Sequence, residues 1–112
     1  MKPSVKDCIR DMLTEAQFAR QFVGEKSYEE FVADPLTSRA VVRSLEIVGE
    51  ACRRLPREWR DRHPAVPWSE IAGMRDRLAH DYTGINYRLV WDTVRERVPT
   101  LQAQLNEILT QL

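Results

Sequence analysis

No run of apolar residues in this 112-residue chain approaches the roughly 20 needed to span a bilayer. The N-terminal MKPSVKDCIRDM lacks the apolar centre of a secretory signal, so a soluble, cytoplasmic protein is expected. An excess of charge is missing too: Lys plus Arg and Asp plus Glu each number 17. With no global basic field to advertise nucleic acid, any anion site must be local. Cysteine is scarce. Cys8 and Cys52 have no metal-ligand spacing, and each falls in an apolar helical pattern. Both are expected to be reduced core residues, with no metal site. Alternating strand patterns, internal repeats and low-complexity tracts are also absent. At this length a single domain over residues 1–112 is expected, large enough for a core without staples.

What remains is helical periodicity. Ser4 to Val23 places Val5, Ile9, Met12, Leu13, Ala16 and Val23 on or near one face. Phe18 and Phe22 widen that face, as expected of a helix packed on more than one neighbour. Gly24 is a natural stop. Ser27 followed by Glu30 is a capping box for a short helix ending near Ala33. Asp34-Pro35 then opens a second long helix through Leu55, with Val41, Leu45, Val48, Cys52 and Leu55 as its stripe. Gly49 inside it costs about 1 kcal/mol against alanine, which the close approach of another helix would justify. Glu46 and Glu50 repel slightly unless Arg43, Arg53 or Arg54 compensates. Residues 56–67 form a proline-rich connector with a short helix around Trp59. A third long helix spans Trp68 to Tyr82, and Thr83-Gly84 turns the chain. Asn86 caps a final helix carrying Val90, Val94, Leu101, Leu105, Ile108 and Leu112, which Pro99 should kink or split. The expected fold is all-α: a four-helix up-and-down bundle with short extra helices.

The third helix is unusual. Trp68, Ile71, Ala72, Leu78 and Ala79 make an apolar stripe with Arg75 in its middle and Tyr82 at its end. A guanidinium aimed along a packed face needs a carboxylate or an anionic ligand, because burying it alone costs several kcal/mol, roughly. His80 follows five residues later. An arginine can hold a phosphate through two parallel hydrogen bonds, a histidine can take and give a proton near neutral pH, and a tyrosine hydroxyl can accept a transferred group. Arginine plus histidine suffices to cleave RNA through its own 2′-OH, leaving a 2′,3′-cyclic phosphate. On a straight helix, however, position 80 lies about 140° from position 75. Either the helix ends near Leu78, or a second copy completes the site across a two-fold axis, a closeness that Gly73 would permit. Each residue also has a plain structural role. Arg75 would pair with Glu46 or Glu50, Tyr82 would be a core tyrosine, and His80 a favourable cation at a helix C-terminus. Asp81 would orient His80 or simply face solvent, and His63 is a loop residue.

The segments SYEEFVADPLTSRAVVRSLEIVGEACRRLP and HPAVPWSEIAGMRDRLAHDYTGINYRLVWDTV, taken together, resemble the HepT-like group of HEPN-domain proteins over nearly the whole chain. The resemblance implies a dimerising bundle with an Arg-x4-His motif at the dimer cleft, and a metal-independent endoribonuclease acting as the toxin of a toxin–antitoxin pair. It places the family's arginine, histidine and tyrosine on Arg75, His80 and Tyr82. It implies a partner, an MntA-type nucleotidyltransferase antitoxin that transfers AMP from ATP onto Tyr82, so that ATP and Mg²⁺ belong to the partner and this chain needs no cofactor. A bulky anionic phosphodiester there would occupy the phosphate site beside Arg75. One of Glu46 and Glu50 is expected to support the site by pairing with Arg75 or Arg77. Asp76 and Arg77 are further candidates for contact with RNA or the partner. The alternative is a non-catalytic HEPN-type module that binds a nucleotidyltransferase or nucleotide. A DNA-binding helix-turn-helix protein is disfavoured by the balanced charge.

Overall fold

A computed structural model of the chain describes residues 4–80 and 84–112, with the side chains of residues 79 and 80 outside that description. The elements are α1 (Val5–Val23), α2 (Tyr28–Ala33), α3 (Pro35–Arg54), α4 (Arg57–Asp61), α5 (Trp68–His80), α6 (Tyr87–Asp92), a π-helical turn (Thr93–Arg97) and α7 (Val98–Thr110). The described residues contain no strand.

The ends of the helices follow from side chains that satisfy orphan backbone donors. The Ser4 and Ser27 hydroxyls accept from the amides of Asp7 and Glu30, whose carboxylates accept in return from the capping residues' own amides. Asp34 accepts from the Thr37 amide and, at 2.6 Å, from the Thr37 hydroxyl, while Pro35 fills the first turn. Asn86 accepts from the Leu89 amide at 3.0 Å. The final helix is split, as Pro99 requires. Its missing N–H falls in the first turn of α7, and the residues before it widen into the π turn, where the Val98 amide reaches back five residues to the Thr93 carbonyl.

α3 is the central stave. It packs along α1 on one side and along α5 on the other, and α7 closes on α1. Two apolar clusters result. One joins Ile9, Met12, Val48, Cys52, Trp68, Leu101 and Leu105, and the other joins Ala16, Phe31, Val41, Leu45, Val90, Val94 and Val98. Both cysteines are free and buried. α1 packs on more than one neighbour as expected, but on α3 and α7 through other residues: Phe18 and Phe22 stack on each other at 5.8 Å between ring centroids and stay 41% and 37% exposed. One expectation needs correction. Leu112 is exposed because the helix ends at Thr110, while Val98, outside the expected stripe, is buried at the start of α7.

Candidate functional site

α5 is anchored at its start. Trp68 is buried, and its indole N–H donates to the backbone carbonyls of His63 at 3.0 Å and Arg60 at 3.2 Å. His63 packs against Trp59 with ring centroids 4.4 Å apart and the rings tilted by 37°, so this connector residue has a packed place. From that anchor α5 descends along α3 and comes nearest to it at Gly49. A Cβ built on Gly49 would lie 2.1 Å from the Cβ of Arg75. The expected close approach is therefore real, and the residue that makes it is the motif arginine.

With its stem on Gly49, the Arg75 side chain is 25% exposed and its guanidinium emerges among carboxylates. Nη1 donates to Asp76 Oδ1 at 3.3 Å, and Nη2 lies 3.6 Å from Glu50 Oε1, an ion-pair distance beyond hydrogen bonding. The buried Nε has no hydrogen-bond partner. Among the described residues, then, the five N–H donors of Arg75 make one hydrogen bond. Both neighbouring carboxylates are shared. Glu50 Oε1 also lies 3.5 Å from Arg43, which hydrogen-bonds Glu46 at 3.2 Å, and Asp76 Oδ2 accepts from Arg53. Of the two glutamates expected near Arg75 or Arg77, Glu50 meets Arg75 and Glu46 meets Arg43. The Arg53–Asp76 contact was not anticipated. Its sequence signal is faint: Arg53 stands one turn beyond Glu50 on α3.

The far side of α5 borders an open groove of about 780 Å³. Ile71 and Met74 line it from α5, with Leu89, Val98 and Leu101 opposite and Ala16, Leu45 and Val48 on its floor. It opens at the seam between the two apolar clusters, because the approach of α5 to α7 is slight at most. Its rim carries both signs: Glu70 and Arg77 on α5, Glu96 and Arg97 on the π turn, with Arg97 bonded to Glu70 at 2.7 Å. Among the described residues nothing lies within 4 Å of a Cβ built on Gly73, which also lines the groove. The backbone is helical through position 80. The α-helical period therefore sets position 80 on the strip that carries Gly73 and Arg77, and Arg75 on the α3-facing strip. Asp81 and Tyr82 lie outside the described residues, as does the side chain of His80. Among the described residues no three His, Cys, Asp or Glu side chains are grouped to hold a metal ion, and no helix is long and apolar enough to cross a membrane.

The family model described as "Ribonuclease HepT-like" matches residues 12–108. A protein of Caldanaerobacter subterraneus subsp. tengcongensis that bears a provisional RNase name is 50% identical over 101 residues, 90% of each chain. One from Thermococcus cleftensis, provisionally named ribonuclease HepT, is 39% identical over 108 residues, 96% of this chain and 98% of its own. A third, from Methanocaldococcus jannaschii and also provisionally named an RNase, is 37% identical over 111 residues, 99% of this chain and 92% of its own. No solved structure matches the chain.

Proposed function

Because the chain belongs to the HepT-like ribonuclease family, we propose that it is a metal-independent endoribonuclease and the toxin of a toxin–antitoxin pair. The observation that carries the reading is the state of Arg75: a guanidinium held on a packed helix face, with one hydrogen bond among the described residues and an unpartnered buried Nε. A fully structural arginine at that position would be expected to spend its donors on protein. Among the described residues this one leaves terminal N–H donors that a phosphate could take.

In the proposed reaction the 2′-oxygen of the substrate attacks the adjacent phosphorus while His80 removes the 2′ proton. Negative charge builds on the phosphoryl oxygens beside Arg75, the bond to the 5′-oxygen breaks, and that oxygen leaves with a proton from an imidazolium. The products carry 2′,3′-cyclic phosphate and 5′-OH ends. Positions 75 and 80 stand on different strips of α5, so a second copy of the chain is proposed to complete the cleft. The open groove beside α5 supports that assembly. Its walls are apolar, its rim carries both signs as a self-complementary surface would, and Gly73 leaves room for approach. An MntA-type nucleotidyltransferase is the proposed antitoxin. The Tyr82 oxygen would attack the α-phosphorus of ATP, pyrophosphate would leave, and the AMP on Tyr82 would compete with RNA for Arg75.

The test is cleavage of an end-labelled RNA in EDTA by protein whose mass shows no modification. Wild type should cut and leave cyclic-phosphate ends, and His80→Ala should be folded and inactive. No cutting by folded, unmodified wild type would reject the ribonuclease and leave a HEPN-type interaction module. AMP retained by Tyr82→Phe after exposure to the partner and ATP would reject Tyr82 as acceptor.

A further inference from the structure

The carboxylates around Arg75 pose a problem for any phosphate-binding role. Glu50 and Asp76 together carry two negative charges within 3.6 Å of one guanidinium, and an arginine clamped by two carboxylates has little left for a third anion. The geometry shows how the clamp is kept open. Glu50 Oε1 is held between two guanidinia, 3.5 Å from Arg43 and 3.6 Å from Arg75. Asp76 divides its two oxygens, Oδ2 to Arg53 and Oδ1 to Arg75. The ion pairs therefore run as a chain, Arg43–Glu50–Arg75–Asp76–Arg53. The outer arginines come from α3 and are 60% and 49% exposed, against 25% for Arg75.

We propose that Arg43 and Arg53 are positioning residues that draw Glu50 and Asp76 off Arg75, so that its guanidinium stays oriented yet available to the phosphate of the substrate. The inference rests on the phosphate-binding role proposed above for Arg75. Each carboxylate fixes the direction of Arg75 through one contact, and each outer arginine takes up the charge that would otherwise neutralise it. Removing Arg53 frees Asp76 Oδ2 to swing onto Arg75 and close a two-point pair, the strongest arrangement available to an arginine and a carboxylate. A residue that touches no substrate then controls how strongly Arg75 binds one.

Arg53→Ala, Arg53→Ala with Asp76→Asn, and Arg53→Ala with Glu29→Gln test this. Glu29 is on α2 at the other end of α3, so the last variant restores net charge without touching Asp76. Two readouts are used: RNA cleavage, and the rate at which phenylglyoxal modifies Arg75, followed by peptide mass. Arg53→Ala should raise KM and slow Arg75 labelling by about fivefold, the size expected for one partly exposed ion pair. Adding Asp76→Asn should restore both, and adding Glu29→Gln should restore neither. Labelling unchanged or faster in Arg53→Ala would overturn the proposal. A loss of cleavage with unchanged labelling would mean that Arg53 touches RNA itself, and rescue by Glu29→Gln would mean that only net charge matters. If wild type cuts no RNA, the ribonuclease reading fails while the labelling arm still decides whether the outer arginines govern Arg75.

Discussion

Arg75 reaches its place because the residue opposite has no side chain. Gly49→Ala sets a methyl group 2.1 Å from the Arg75 Cβ, so α5 must move away from α3 or Arg75 must leave its rotamer. Overpacking of this kind costs about 1–3 kcal/mol, to be read as a lowered urea midpoint with unchanged m-value. Loss of RNA cleavage should exceed what the unfolded fraction explains. The sequence made Gly49 suspicious as a glycine inside a helix and made Arg75 suspicious as a charge inside a stripe. That the two anomalies answer each other was not legible, because 26 positions separate them and period alone does not say which helices touch. The cysteines were legible. Burial pushes the Cys52 thiol up to about 11 and raises that of Cys8 as well. Both should therefore resist iodoacetamide at neutral pH until denaturant is added, and equal labelling of folded and unfolded protein would contradict their burial.

Among the elements, the caps were the most readable feature, since a capping box is a local pattern that needs no tertiary partner. The Asp34 carboxyl is held below its ordinary value of 3.8, chiefly by the Thr37 hydroxyl and then by the Thr37 amide, and the Glu30 carboxyl is held below 4.5, chiefly by the Ser27 amide. Both groups bind their proton less readily when folded than when unfolded. The stabilisation they give is therefore present above those ordinary values and lost as pH falls through the lower folded ones. Asp34→Asn should accordingly flatten the fall of Tm between about pH 5 and pH 3 relative to wild type. An identical pH profile would remove the cap from the acid response. The last helix was readable only in part. Pro99 announced a break, but the π turn that accommodates it is set by where the backbone reaches for acceptors, which no side-chain pattern records.

For the whole molecule, helical period and chain breaks were enough to foresee an all-α bundle, and the Phe18–Phe22 pair shows where that logic overreaches. α1 does pack on both α3 and α7, yet these two rings stay more than a third exposed and stack on each other. The groove was hidden for the converse reason. Ile71, Met74, Leu89 and Leu101 look like core residues in any window of sequence, and only the spacing of α5 from α7 leaves them bordering open volume. If a second copy fills that volume, Gly73→Arg should leave helicity by circular dichroism intact, since open space surrounds the position, while shifting the protein to monomer in sedimentation and lowering RNA cleavage. A dimer that survives this change would place the interface elsewhere. There is also a kinetic consequence. Beyond its anchored start, α5 is held mainly by α3, with slight contact to α7 at most, whereas α1 and α3 share the longest seam in the bundle. Backbone amides in the middle of α5 should trade hydrogen for deuterium well before those of α1 and α3. Anything that settles into the groove would then announce itself as a slowing of that one clock, whether or not chemistry follows.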